Sequence, residues 1–200
     1  MINFTPLARR YFTSRLYEQL RYQEYAHAIQ QGELVKLIEK ASLTEIGRKY
    51  NFSKIRTYQQ WASTVPLYTY DNLRPQIMRM VDGEAGVLWP GKTFHFAQSS
   101  GTSGKSKYIP ITADALRLNH YQGASDVVAH YLNLNPDSRL FAGKALILGG
   151  SFANELNLKP GTHVGDLSAT LINNINPIAG FFRVPGKSIA LMEDRNEKLP

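Results

Sequence analysis

The stretch FHFAQSSGTSGKSKYIPIT, residues 94–112, constrains this chain more than any other. Two short runs rich in aromatic and β-branched residues, FHFA and YIPI, bracket a segment of Gly, Ser, Thr and Lys. Such runs, bounded by glycine and proline, read as strands. Thr112 then caps a long helix through ADALRLNHYQGASDVVAHYLN, with Leu116, Ala124, Val127, Val128 and Tyr131 on one apolar face. A loop between two strands and ahead of a capped helix is held at both ends, which separates it from a flexible Ser/Gly connector of similar composition.

The GKS in this loop invites comparison with a Walker A motif, Gly-x-x-x-x-Gly-Lys-Ser/Thr. With Gly104-Lys105-Ser106 as its end, the first glycine belongs at position 99, which is Ser99. Walker A also leads into a helix, whereas Tyr108-Ile-Pro-Ile111 is β-rich and its proline opposes an immediate helix. A strand–loop–strand segment binds anions differently, through successive backbone N–H groups in a glycine-rich turn. Ser99, Ser100, Thr102 and Ser103 add hydroxyl donors, Gly101 and Gly104 permit positive φ, and Lys105 and Lys107 supply cations.

The residues before this loop read as helices. Thr5-Pro6 opens the first as N-cap and first helical residue, and its pattern runs to about Gln30 before Gly32 interrupts it. GELVKLIEKA follows as a second short helix, Ser42-Leu-Thr-Glu45 and Thr57-Tyr-Gln-Gln60 are capping boxes, and Thr69 caps NLRPQIMRMV, closed by Asp82-Gly83. Residues 1–85 are thus mainly helical, and residues 86–200 carry strands together with helices. VLW and KALILGG are further strands, the second of buried type and running into a Gly149-Gly150-Ser151 turn. The fold class is mixed α/β.

At 43% hydrophobic and 20% charged, the 200 residues suit one sizeable soluble domain or part of a larger one. No apolar run approaches a membrane span, and no apolar stretch follows the N-terminal charges as in a secretory signal. The absence of cysteine rules out disulfides, cysteine-ligated zinc and cysteine nucleophiles, and fits a reducing cytoplasm. The net charge of +7 is spread, with 13 basic against 8 acidic residues in the first hundred and 10 against 8 in the second. The one basic cluster, Arg9, Arg10, Arg15 and Arg21 among tyrosines, reads as a solvated helix face with its aromatics turned inward. Nucleic acid and membrane are therefore not expected partners; the charge suits anionic small molecules.

Ser-Ser-Gly-Thr-Ser-Gly-x-Ser-Lys followed by Ile-Pro resembles the phosphate signature of acyl-adenylate-forming enzymes, in the variant found in acyl acid–amido synthetases. These are the plant auxin- and jasmonate-conjugating enzymes and their bacterial relatives. Stretches along nearly the whole chain agree: Thr44-Glu-Ile-Gly-Arg-Lys-Tyr50, Val65-Pro-Leu-Tyr-Thr-Tyr-Asp-Asn-Leu-Arg-Pro75, Asp82-Gly-Glu84, Leu88-Trp-Pro-Gly91, Asn135-Pro-Asp-Ser138 and Gly165-Asp-Leu167. The likeness is greatest to the bacterial branch.

The resemblance implies that the chain is the N-terminal part of the large adenylating domain, with ATP and magnesium as cofactors and a carboxylic acid and an amino acid as substrates. Ser99, Ser100, Gly101, Thr102 and Ser103 match the phosphate-contacting loop, and Lys107 matches the lysine before the Ile-Pro strand. This loop is one residue shorter than in many relatives, so Lys105 is a second candidate for that role. Asn119, His120 and Tyr121 lie on the helix that packs beside the acyl site in this family, although a lone helical histidine is commonly an ordinary surface or core residue. Asp166 is a weak magnesium candidate beside its plainer reading as a turn or capping carboxylate, and Gly149-Gly150-Ser151 reads equally as pocket lining or tight turn. No catalytic residue is assigned. The motifs for adenine, ribose and metal, and the small C-terminal domain, are expected beyond residue 200, so the piece is expected to be inactive alone. The competing expectation is a non-catalytic nucleotide-binding or interaction module.

Overall fold

The structure, a computed structural model, describes residues 2–99, 106–194 and 198. Helices α1 (Thr5–Ala41), α2 (Glu45–Lys49), α3 (Tyr58–Thr64) and α4 (Tyr70–Val81) precede strands β1 (His95–Ser99) and β2 (Lys107–Ile111). A π-helical turn (Ala115–Tyr121) runs directly into α5 (Gln122–Leu134). Then come β3 (Ala145–Leu146), β4 (His163–Gly165), α6 (Leu167–Asn173), α7 (Pro177–Phe181), β5 (Arg183–Val184) and α8 (Lys187–Ala190). The mixed α/β class expected from the sequence is the class observed. The chain forms two compact units: a hairpin unit, Glu24–Thr112 with Glu155–Val164, and a second unit, Met1–Gln23 with Ala113–Asn154 and Gly165–Pro200.

In the hairpin unit β1 and β2 pair antiparallel, from His95 opposite Ile111 to Ser99 opposite Lys107. β1 lies between β2 and β4, which leaves β2 at an edge. Phe96 is 0% exposed and packs with Tyr108, Val87 and Val164 against Ile77, Met80 and Val81 of α4. Leu73, Ile77, Met80 and Val81 recur at helical spacing, so α4 turns one apolar face to this core. The helix is fixed at both ends as the sequence predicts. Thr69 and Asn72 form a closed capping box, and Gly83 leaves the helix at φ +84. A second cluster joins Ile38, Ala41, Phe52 and Ile55, with Trp61 against Phe52 at 5.1 Å between ring centroids.

Four local expectations change. α1 runs through Gly32, where an added Cβ meets nothing within 4 Å, and its interruption falls at Tyr25 (φ −122, ψ 25). The box expected at Ser42 is displaced: Thr44 caps α2, its hydroxyl oxygen accepting the Gly47 N–H at 3.1 Å. VLW forms bends, and the Glu45 and Ile46 N–H groups donate to the Gly86 and Val87 carbonyls from outside any sheet. KALILGG contributes only Ala145 and Leu146, paired parallel with β5; Leu146 is 67% exposed, so this is no buried strand.

In the second unit Thr5 is not the helix cap. The Asn3 side chain accepts the Thr5 N–H at 3.0 Å, while the Thr5 hydroxyl, 1% exposed, accepts the Phe141 N–H at 2.9 Å. Phe4, Phe12, Phe141 and Phe182 stack edge and face around this point. The basic face of α1 also departs from its reading. Arg9 donates to the Leu132, Asn135 and Pro136 carbonyls at the C-terminal end of α5, and Arg15 Nε donates to Asp126 at 2.8 Å. Guanidinium suits that position because it carries several donors and a positive charge at the negative end of a helix. The tyrosines, not these two arginines, are exposed: Tyr11, Tyr17, Tyr22 and Tyr25 all face solvent.

Replacing Phe96 by Ala should cost about 3–5 kcal/mol of hairpin-unit stability, because it empties a fully buried aromatic site. Tyr11→Ala, at a 72% exposed position, should cost less than about 0.5 kcal/mol. Urea unfolding followed by circular dichroism measures both.

Candidate functional site

The hairpin sets the two ends of the glycine-rich loop. Ser99 and Lys107 face each other as the last register pair, and Gln98 Nε2 donates to the Ser106 hydroxyl at 3.0 Å just inside the loop. Lys107 is held by a residue that the sequence did not single out. Tyr70, first in α4, places its ring 5.6 Å from the Lys107 ammonium, and its hydroxyl accepts the Tyr108 N–H at 2.6 Å. A cation over an aromatic face at that distance is attracted without being neutralised. Of the sequence-predicted phosphate residues, the structure thus joins Ser99 and Lys107; Ser100, Gly101, Thr102, Ser103 and Lys105 lie outside the described residues.

Three of the stretches that carry the resemblance, those of Thr44–Tyr50, Val65–Pro75 and Asp82–Glu84, are tied together within the hairpin unit. Arg79 of α4 bridges Glu45 and Glu84, with Nη2 to Glu45 at 2.6 Å and Nε to Glu84 at 2.8 Å. The hydrogen bonds from Arg79 hold both carboxyls below the usual range, and the two carboxylates raise the guanidinium in return. Tyr50 and Tyr68 share a hydrogen bond, and Lys49 Nζ donates to the Tyr68 hydroxyl at 3.4 Å. The Arg79 network is largely exposed, so it contributes little stability and serves to hold the last turn of α4, while Tyr68 is tied just ahead of the Thr69 cap.

At the far end of β1, His95 stacks on His163 of β4, with ring centroids 5.2 Å apart and 18° between planes. Burial pushes the His95 imidazole below its ordinary value, and the charge of His163 adds to the effect.

Asn119, His120 and Tyr121 fall in the π-helical turn of the second unit. Asn119 is exposed and His120 half-buried, while the Tyr121 hydroxyl donates to the Leu171 carbonyl at 2.9 Å. Burial pushes the Tyr121 phenol up, and Arg183 partly offsets this. π-helical turns recur at functional sites, but Tyr121 here ties the helix to α6. Asp166 stands at the N-cap position of α6 without a capping bond from its side chain; its carboxylate instead accepts the Ser151 N–H at 3.1 Å, as a turn carboxylate does. The Gly149–Ser151 turn packs directly on that carboxylate, and a Cβ at Gly150 would sit 1.8 Å from Asp166 Oδ2. The Ser168 hydroxyl accepts the Gly150 N–H at 2.8 Å, and buried Lys198 donates to the Gly149 carbonyl at 3.0 Å, so the turn is filled from within. Among the described residues no group of three or more His, Asp or Glu forms a metal site, and no helix is long and apolar enough to cross a membrane.

Comparison with known proteins gives one consistent answer. The profile of the GH3 family N-terminal domain matches residues 15–199. An indole-3-acetic acid-amido synthetase of Arabidopsis thaliana, GH3.17, is 34% identical over 94 residues, which are 46% of this chain and 15% of that protein. The jasmonoyl–L-amino acid synthetase JAR6 of Nicotiana attenuata is 30% identical over 93 residues, 46% of this chain and 16% of that one. Among solved structures, the GH3.15 acyl acid amido synthetase superposes over 97% of this chain and 32% of its own, with a TM-score of 0.71 at 21% identity, which speaks to the fold. The chain thus spans less than a third of the length of these relatives.

The histidine stack yields a pH dependence. A folded-state value below the unfolded value of about 6.5 means that the unfolded chain binds the proton more readily. The stabilising effect of a neutral His95 is present above about pH 6.5 and is lost as pH falls through the folded value. Thermal midpoints measured from pH 8 to 5 should fall on the acid side in the wild type, and by less in His95→Gln.

Proposed function

The chain belongs to the GH3 family, and we propose that it supplies the triphosphate-gripping part of an ATP-dependent acyl acid–amido synthetase. The observation that carries this reading is the hairpin that brings Ser99 opposite Lys107 at the mouth of the Ser-Ser-Gly-Thr-Ser-Gly loop. In the first step an acid's carboxylate attacks the α-phosphorus of ATP, and the bond to the β-phosphate oxygen breaks. Pyrophosphate leaves with that electron pair, and the acyl adenylate remains. The protein's task is to bind the departing charge with preset donors. Backbone N–H groups and hydroxyls of Ser99 to Ser103 bind triphosphate oxygens, and Lys107 supplies the cation. In the second step an amino acid's amine attacks the acyl carbonyl, the bond to the AMP oxygen breaks, and the amide forms as AMP leaves and the amine proton passes to solvent.

We place Asn119, His120 and Tyr121 beside the acyl group on the strength of the family resemblance, and extend the reading to a bacterial, cytoplasmic protein whose large adenylating domain has these residues in its N-terminal part. Low identity to plant relatives, over less than half the chain, supports a branch apart from them. Magnesium arrives with ATP. Asp166 is engaged with Ser151, and the described residues supply no ligand set, so no step is assigned to the ion.

Exchange of labelled pyrophosphate into ATP, run with a panel of carboxylic acids, tests the reading. We expect acid-dependent exchange in a longer protein containing this chain, and ATP binding without exchange in residues 1–200. Ser100→Ala should slow exchange by roughly ten- to a hundredfold, as loss of a hydrogen bond to a charged group does. A longer protein that exchanges with no acid tested overturns the enzyme assignment and leaves a nucleotide-binding module; saturable ATP binding with no exchange would be its signature.

A further inference from the structure

Tyr70 is engaged at both of its polar and apolar ends by consecutive residues of β2. Its hydroxyl accepts the backbone N–H of Tyr108 at 2.6 Å, and its ring lies 5.6 Å from the ammonium of Lys107. β2 is an edge strand, so this N–H faces away from β1 and needs a partner from outside the sheet. Tyr70 reaches it because Thr69 and Asn72 fix the first turn of α4 and because Ile77, Met80 and Val81 bury that helix beside Phe96 and Tyr108. The backbone just after Lys107 and the head of Lys107 are thus fixed by one side chain.

The kind of contact matters as much as its place. A carboxylate would neutralise the ammonium and compete with a phosphate for its donors. Among the described residues Lys107 enters no ion pair. A ring face attracts the cation through its quadrupole and accepts no N–H bond in the ordinary sense, which leaves the three ammonium donors available. Restricting a long side chain before the ligand arrives also reduces the rotamer entropy lost on binding.

We infer that Tyr70 is a positioning residue that holds Lys107 in place, undischarged, to receive the phosphate oxygens of ATP. This rests on the phosphate-loop reading above. The hydroxyl and the ring have separable effects: the hydroxyl secures β2, and the ring aims the lysine.

Calorimetric titration of ATP, and separately of inorganic pyrophosphate, into wild type, Tyr70→Phe, Tyr70→Leu, Lys107→Met and Tyr70→Leu/Lys107→Met tests this. Lys107→Met should weaken binding about tenfold or more. Tyr70→Leu should weaken it about two- to fivefold, the range of a surface cation–ring contact. Tyr70→Phe should bind within about twofold of wild type while its thermal midpoint falls, since only the backbone hold is lost. The double variant should bind no more weakly than Lys107→Met alone, because the ring acts through the lysine. Tyr70→Met replaces Tyr70→Leu where the latter does not fold. Wild-type affinity in the ring-less variant, equal losses in Phe and Leu, or additive losses in the double variant each overturn the inference and leave the phosphate-loop reading standing. Wild type that binds neither ATP nor pyrophosphate overturns that reading, and this inference with it.

Discussion

Burial of Phe96 and Tyr108 against α4 is the interaction on which the candidate site depends. A one-residue slip between β1 and β2 would turn Phe96 out of the core, so burial fixes the register. Register in turn decides which residues face each other where the strands end. Ser99 meets Lys107 because Phe96 is buried three positions earlier, not because serine and lysine attract each other.

The stretches shared with the family are mostly scaffold. Thr44 to Tyr50, Val65 to Pro75 and Asp82 to Glu84 contact one another through Arg79 with Glu45 and Glu84, and through Tyr50 with Tyr68. These contacts are individually weak; those of Arg79 hold the last turn of α4, and that of Tyr68 holds the segment just before its Thr69 cap. In the second unit arginine has a comparable part, Arg9 covering the carbonyl end of α5 and Arg15 joining Asp126. Of the four arginines that read as a solvated helix face in the sequence, Arg9 and Arg15 are fastenings within this unit, while Arg10 and Arg21 are exposed.

The hairpin, the Thr69 cap of α4 and the mixed class were legible because each rests on local chemistry: short aromatic and β-branched runs, a threonine ahead of a helical run, an Asp-Gly at its end. The misreadings share one cause. Thr5 and Ser42 are good caps locally, but their surroundings decide the outcome: the Thr5 hydroxyl accepts the Phe141 N–H, and α1 continues to Ala41, which leaves Ser42 in the turn between the two helices. Gly32 weakens a helix by propensity alone, and α1 tolerates it. Tyr70 was invisible for the same reason: its sequence neighbours define a helix start, and nothing in them says that β2 lies within reach. The π-helical turn at Ala115–Tyr121 likewise shows no irregularity in sequence, where it reads as plain helix.

The two lysines of the loop illustrate how structure weighs residues that composition treats alike. Lys105 belongs to the eye-catching GKS, whereas Lys107 follows it inside what reads as an ordinary strand. A strand position is the stronger one for a binding cation. The backbone of Lys107 is paired with Ser99, the next N–H is tied to Tyr70, and its ammonium rests by a ring, so few conformations are left to lose when an anion arrives. A lysine fixed before binding presents its charge in one place, and transition-state stabilisation depends on charge that need not be reorganised as the reaction proceeds. The strand that made a Walker A geometry untenable is therefore the feature that makes Lys107 suitable for the same chemical task.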